Sequence, residues 1–291
     1  MTLCIAWKNR SGISFASDSR LSNNNMIITD SASKIFKINI TIKSPRNELD
    51  NSEIITYQSN FGLCFTGSYL SGSLIADAMN LFFSNIQAAP NFSDISMDNF
   101  SELALNIYSQ VSKQLMELNG SDARSEALFS GYCPETFTLK LYKFKWDVEG
   151  EISFVKEKIA VSDLPVFIGD TRAKELGVEL LNKINNNYSY YHLLEEIIKD
   201  REIISVGGDI QTGVFENGDF DIFGILNYHL DETDFPKVKS SFRFRGLEID
   251  FDTENLRSGN INPSITYINP FERRRQSYFN EINRRIDEGD Y

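Results

Sequence analysis

A threonine at position 2, an aspartate at 18 and a lysine at 34 follow one another at intervals of sixteen residues. Each residue type has a part in one kind of covalent catalysis. Removal of Met1, expected because residue 2 is small, exposes Thr2 with a free α-amine beside its own hydroxyl. An unperturbed α-amine titrates at about 7.7–8.0, so near neutral pH it can accept the hydroxyl proton. That activates a nucleophile that is weak alone. The chemistry also needs a cation to hold the amine neutral, a carboxylate to hold the cation and backbone amides to receive an oxyanion. Lys34, Asp18 and Gly67 supply these types, Gly67 at the place where a strand gives way to a helix.

Other catalytic vocabulary is missing. His192 and His229 are the two histidines, and neither accompanies a GxSxG nucleophile. The sequence has no Walker A loop, GxGxxG or HExxH motif. Cys4, Cys64 and Cys133 are odd in number, scattered and without a CxxC, which fits reduced buried thiols better than a disulfide frame or zinc site. No cofactor or metal is expected.

The candidate residues depend on strands for their placement. Leu3, Ile5 and Trp7 alternate, Asn9 to Gly12 supply a turn, and Ile13 to Ser17 resume the extended pattern. The spacing therefore predicts a hairpin that begins at residue 2 and ends at Asp18. Further strands are expected at Met26 to Ile28 and Ile35 to Ile40, and a strand pair at Ile54 to Tyr57 and Phe61 to Phe65. A helix with Leu70, Leu74, Ala78 and Phe82 on its buried face should follow Gly67-Ser68. After a break at Pro90-Asn91, a second helix carries Leu103, Ile107, Val111, Leu115 and Leu118. Strands then return over residues 127–132, 136–146, 152–155 and 166–168. Two helices follow, one with Leu176, Leu180 and Ile184, the other with Leu193, Leu194, Ile197 and Ile198. Ile210 to Phe215 and Phe220 to Leu226 flank Asn217-Gly218, a type I′ hairpin signal. Two sheets, each covered outside by a helix pair, satisfy this order: an α/β (α+β) fold in a four-layer α/β/β/α sandwich. Residues 1–230 form this domain. Residues 231–291 form a C-terminal extension with one strand (Phe242 to Phe251) and a terminal helix that starts after Asn269-Pro270, carries Phe271, Phe279, Ile282 and Ile286, and closes at Gly289.

With 41 acidic and 29 basic side chains among 291 residues, the net charge of −12 argues against a nucleic-acid partner. Apolar runs such as Leu3 to Trp7 are far shorter than the roughly 20 residues that span a bilayer. Lys8 and Arg10 follow that run at once, so no secretory segment or membrane association is expected. The expected setting is the cytoplasm.

The segment from Thr2 to Lys34, with Ala16-Ser17-Asp18-Ser19-Arg20 within it, resembles the start of a proteasome β-type subunit, a threonine peptidase of the N-terminal nucleophile class. It is closest in style to the bacterial proteasome-related peptidases. Cys64-Phe65-Thr66-Gly67-Ser68 resembles that family's oxyanion turn, Ile168-Gly169-Asp170 a later glycine turn, and Ser205 to Ile210 its last glycine-rich strand approach. The resemblance covers roughly residues 2–228. It implies an N-terminal nucleophile hydrolase fold, a polypeptide substrate, a homo-oligomeric ring or open helix, and an ATP-dependent unfoldase as partner. It assigns catalysis to Thr2, Asp18, Lys34 and Gly67. Ser19, Arg20, Ser68, Asp170, Glu202 and Ser205 become supporting residues. Asp170 stands where the family has a hydroxyl, and Glu202 with Ser205 gives a loose match to its acid and serine pair.

Other readings stand beside this one. The nucleophile chemistry does not name its substrate, so a non-peptide amide is an alternative. A retained Met1 would leave an inactive β-like scaffold. Ser19 and Arg20 suit a structural turn behind the site, and Asp170 and Ser205 suit helix capping. Alternating Glu248, Asp250, Asp252 and Glu254 read as a solvated strand face. Arg273 to Arg275 and Arg284-Arg285 read as a polar helix face whose apolar side buries against a neighbour such as another subunit.

Overall fold

The computed structural model describes residues 2–23, 26–46, 53–88, 95–147, 153–162, 164–183, 189–231, 237–249 and 264–288. The N-terminal hairpin forms as expected from β1 (Leu3–Lys8) and β2 (Ile13–Asp18). The Asn9 side chain closes its turn by accepting from the amides of Ser11 at 2.9 Å and Gly12 at 2.6 Å. β3 (Leu21–Asn23) and β4 (Met26–Thr29) pair with each other as a separate two-stranded sheet among the described residues. β5 (Ile35–Lys43) is antiparallel to β6 (Ile55–Gly67), and β6 is one 13-residue strand rather than the expected pair. Residues 58–60 are polar, which hides the continuity in the sequence, yet each has a partner on β5.

α1 (Tyr69–Phe83), the short β7 (Ile86–Gln87) and α2 (Met97–Asn119) follow. α1 buries a different face from the one expected. Leu70, Leu74 and Phe82 are exposed, whereas Ile75, Ala76, Met79 and Phe83 are buried. The reason is close approach. A Cβ on Gly72 would lie 2.0 Å from the Phe65 ring, so the helix seats its small residues Ser71, Gly72 and Ala76 against the sheet. In α2, Ile107 and Leu115 are buried as expected, but Leu118 at the last turn is exposed.

Next come β8 (Ser125–Cys133), β9 (Thr138–Asp147), β10 (Ser153–Ile159), β11 (Val166–Gly169), α3 (Thr171–Lys183), α4 (Tyr190–Lys199), β12 (Ile210–Glu216) and β13 (Asp219–Asp231). Asn217 and Gly218 have φ of 52° and 89°, the double positive φ of a type I′ hairpin. β14 (Lys237–Phe244) pairs with β13, and β15 (Leu247–Ile249) pairs with β14. The strand expected over 242–251 is therefore a hairpin that turns at Arg245-Gly246, and the first sheet continues across the boundary expected at residue 230. β16 (Tyr267–Ile268) and α5 (Glu272–Glu288) complete the described chain. Pro90, Asn91, Ile152, Ile184, Asp250, Phe251, Asp252, Glu254 and Gly289 lie outside the described residues.

The first sheet runs β11-β1-β2-β12-β13-β14-β15, with β16 beside β13, and the second runs β10-β9-β8-β6-β5-β7. Three apolar clusters join the elements. One sets α1 and α2 on the second sheet through residues such as Ile38, Phe83, Phe100 and Phe129. Another sets α3, α4 and Phe271 on the first sheet through Ile5, Ala173, Leu194 and Ile197. The third holds first-sheet residues Cys4, Phe15 and Phe215 with second-sheet residues Cys64 and Leu128. Each large side chain removed from water in this way contributes about 1.5–3 kcal/mol. The result is a mixed α+β, strand-rich chain with five α-helices among the described residues. None of them is long and apolar enough to cross a membrane.

Candidate active site

Asp18 ends β2 in the middle of the first sheet, between β1 and β12. Its carboxylate accepts four hydrogen bonds. Leu3 N donates to Oδ1 at 3.1 Å, while Arg20 N at 3.1 Å, Gly207 N at 3.0 Å and Lys34 Nζ at 2.9 Å donate to Oδ2. The ion pair is fully inside, Lys34 being 2% exposed and Asp18 0%. Burying two charges is costly unless the geometry is good and other donors satisfy the carboxylate, as the three amides do here.

Thr2 is 4% exposed and precedes the amide that Asp18 holds. Its carbonyl accepts from Asp170 N at 2.9 Å. Gly169, paired with Leu3, has φ of +111°, and a Cβ there would lie 1.9 Å from the Thr2 carbonyl oxygen. Thr2 is thus fixed from both sides, by Asp18 through Leu3 and by the turn after β11. Gly67 ends β6 with φ of +91°, and Ser68 caps α1 by accepting from Ser71 N at 3.3 Å. The Ser68 amide is taken by the Arg124 carbonyl at 2.7 Å.

Ser19 and Arg20 build the turn behind the pair. Both amides donate to the Gly207 carbonyl, at 3.1 and 3.0 Å. Ser19 Oγ donates to the Asp30 carbonyl at 2.5 Å and accepts from Asp209 N at 2.7 Å. The Arg20 guanidinium pairs with Asp30 at 2.7 and 3.2 Å.

Asp170 and Ser205 also come together. Ser205 Oγ donates to Asp170 Oδ2 at 2.7 Å, and Ala173 N donates to Oδ1 at 3.0 Å, so Asp170 caps α3. Glu202 does not join them. It is 72% exposed and pairs with Arg172 on the surface. The acid that meets Ser205 is Asp170, which follows the edge strand β11, and the local spacing of Glu202 and Ser205 does not reveal that contact.

Gln211 belongs to this assembly and was not among the expected residues. Its Oε1 accepts from Lys34 N at 3.0 Å and its Nε2 donates to the Ala32 carbonyl, which fixes the backbone that carries the lysine. A polar residue in the apolar run Ile210 to Phe215 is the sequence signal, since a glutamine 1% exposed requires partners.

The other reactive groups have structural surroundings. Burial, reinforced by Cys4, pushes the Cys64 thiol well up, the opposite of an activated nucleophile. His192 stands edge-on to Phe271 at 5.0 Å, and burial lowers its pKa. Among the described residues no three His, Cys, Asp or Glu side chains form a metal-binding group. The buried ammonium and the backbone held on both sides of Thr2 together suit amine-assisted nucleophilic chemistry.

No family model and no curated protein matches the sequence. The likeness lies in structure. Anbu, an ancestral β-subunit from Yersinia bercovieri, aligns at 14% identity over 76% of this chain and 86% of that one, with a TM-score of 0.50. The chain shares the fold of that ancestral β-subunit. An Anbu (Gly-1) mutant from Hyphomicrobium sp. strain MC1 aligns at 15% identity over 89% of this chain and 91% of that one, with a TM-score of 0.49. At 14% identity the likeness to the ancestral β-subunit is one of fold alone.

Proposed function

We propose that this chain is a threonine-type peptidase whose nucleophile is Thr2, exposed by removal of Met1. The observation that carries the reading is the buried Lys34–Asp18 pair, in which the same carboxylate that holds the ammonium also holds the amide next to Thr2. In this reading Lys34 lowers the pKa of the freed amine by adjacent positive charge, and Asp18 orients Lys34. Thr2 Oγ attacks the peptide carbonyl as its proton passes to the amine, directly or through water. The tetrahedral oxyanion rests on the Gly67 amide, and the resulting ammonium protonates the departing amine. Water, deprotonated by the same amine, then hydrolyses the acyl ester. Ser19, Arg20 and Ser68 hold the turns around these groups, and Asp170 with Ser205 fixes the turn that grips Thr2. No metal or organic cofactor takes part.

The finer fold assignment belongs to the same proposal: a four-layer α/β/β/α N-terminal nucleophile sandwich over residues 1–230, with residues 231–291 as its extension. We further propose assembly into a homo-oligomeric ring or open helix in the cytoplasm, served by an ATP-dependent unfoldase. The exposed Leu70, Leu74, Leu81 and Phe82 of α1 support a subunit contact. One observation favours a second reading, an inactive scaffold. Asp170, whose amide donates to the Thr2 carbonyl, carries a carboxylate that is bonded to Ser205 and Ala173, where a proton-relaying hydroxyl would serve the amine better. Turnover of fluorogenic peptides by wild type, Thr2→Ser and Thr2→Ala separates the two. The peptidase reading expects turnover by wild type, reduced turnover by Thr2→Ser and none by Thr2→Ala. Equal turnover in all three, or none in correctly trimmed wild type, would reject it.

A further inference from the structure

The turn between β14 and β15 lies against the candidate site. Gly246 O accepts from Ser31 Oγ at 3.4 Å, and a Cβ on Gly246 would lie 2.8 Å from Ser19 Cβ. Arg245, the first residue of this two-residue turn, has φ of 54°, a left-handed conformation that favours Asn, Asp or Gly. Its guanidinium reaches over the Phe36 ring at 5.4 Å, and Nη2 donates to the Ile35 carbonyl at 3.4 Å. Ile35 directly follows Lys34. Successive carbonyls point to opposite sides of a strand, and Lys34 O accepts from Phe65 N on β6. The Ile35 carbonyl therefore lies on the other side of β5, where among the described residues β7 pairs with Ile42 and Lys43.

Two neighbouring arginines are neutralised by carboxylates, Arg20 by Asp30 and Arg243 by Asp209 and Glu248. Arg245 has no carboxylate partner among the described residues, and its Nε is buried with no hydrogen bond at all. In a chain with 41 acidic and 29 basic residues, a half-buried guanidinium without an acid is the unusual outcome. Burial lowers its pKa, the direction expected of a cation that lacks compensation. Phe36 stacks on Phe65 at 5.7 Å, and Phe65 meets Tyr69 at 6.1 Å, so this aromatic run extends from beneath Arg245 to the start of α1 beside Gly67-Ser68. Phe36 and Tyr69, which are only partly buried, would receive the stem of a side chain and the guanidinium its charged end.

We propose that Arg245 recognises a carboxylate on the substrate and seats an acidic side chain beside the scissile bond, so that the enzyme prefers acidic peptides. This rests on the peptidase reading of Thr2. The determinant would come from the C-terminal extension and not from the hairpin that carries the chemistry.

The test uses peptides that differ only in the residue before the cleaved bond, paired as Glu against Gln and Asp against Asn. For wild type we expect kcat/KM for the acidic member to exceed that for its amide by about 10- to 100-fold, the range of one buried charge-assisted hydrogen bond. Arg245→Asn, which tolerates the turn's positive φ, should bring the ratio near one. Arg245→Glu should invert it, and Arg245→Lys should restore part of it. Binding of the same peptides to full-length Thr2→Ala, followed by fluorescence anisotropy, should show the same Arg245-dependent preference without turnover. If wild type cleaves nothing while Thr2→Ala still prefers the acidic peptide through Arg245, the peptidase reading falls and the carboxylate site stands. If acidic and amide peptides are cleaved alike, or if Arg245→Asn raises turnover of all peptides equally as removal of a plug would, this inference is overturned.

Discussion

Replacing Lys34 by methionine keeps the length of the side chain and removes its charge, leaving Asp18 at 0% exposure with three amide donors in place of four partners. An exposed ion pair is worth about 0–1 kcal/mol. Removal of one partner from a buried pair costs about 3–5 kcal/mol, because a charge is left without compensation away from water. With a urea dependence of about 3 kcal/mol per molar, the midpoint of unfolding should fall by about 1–2 M. The double variant Asp18→Asn/Lys34→Met removes both charges and should regain at least about 1 kcal/mol relative to the sum of the single losses. Covalent labelling of Thr2 should stay absent in that double variant although stability returns, which separates chemistry from folding. Urea melts of Lys34→Met, Asp18→Asn and the double variant, followed by circular dichroism, give both quantities. A midpoint shift under about 0.3 M for Lys34→Met would show a pair that behaves as if solvated, and the reasoning built on its burial would fail.

Three further expectations can be checked with the same proteins. Gly169→Ala places a methyl against the Thr2 carbonyl at a positive φ, so it should cost about 1–3 kcal/mol in urea unfolding and slow labelling of Thr2. Glu202→Gln should leave labelling unchanged because Glu202 pairs on the surface with Arg172, whereas Ser205→Ala, which frees one oxygen of the buried Asp170, should shift the pH profile of labelling; the reverse order would restore Glu202 to the site. Lys140 and Tyr142 hold the Asp98 carboxyl at about 2, below the ordinary carboxylate value of about 3.9, so its stabilisation is complete above that value and is lost as pH falls toward 2. Asp98 is half exposed, so Asp98→Asn should cost under about 1 kcal/mol near pH 6, and the gap in urea midpoint should narrow as pH falls from 4 to 3.

What could be read in the sequence was the part fixed by short-range pattern. The alternation of Leu3, Ile5 and Trp7, the Asn9 to Gly12 turn and the position of Asp18 at a strand end define β1 and β2 without tertiary information. So do the Asn217-Gly218 hairpin and the change from strand to helix at Gly67. The α1 face was ambiguous because two interleaved series have the same helical spacing: Leu70, Leu74 and Phe82, or Ser71, Ile75, Met79 and Phe83. Size favours the first, but the sheet selects the second, since only Gly72 and its small neighbours admit the Phe65 ring. The contacts that complete the site are the least local. Gln211 reaches Lys34 across 177 positions, and Gly207 reaches Asp18 across 189. The pairing of Ser205 with Asp170 was hidden for the same reason, and the nearer Glu202 offered a false partner.

The most direct test of the account is the mass of the mature protein before and after exposure to a β-lactone, with the adduct mapped by peptide sequencing. The expected result is a chain that begins at Thr2 and gains one adduct on that residue, with no adduct on Thr2→Ala or Lys34→Met. A chain that keeps Met1 in cells, or a trimmed chain that takes no adduct, would contradict it.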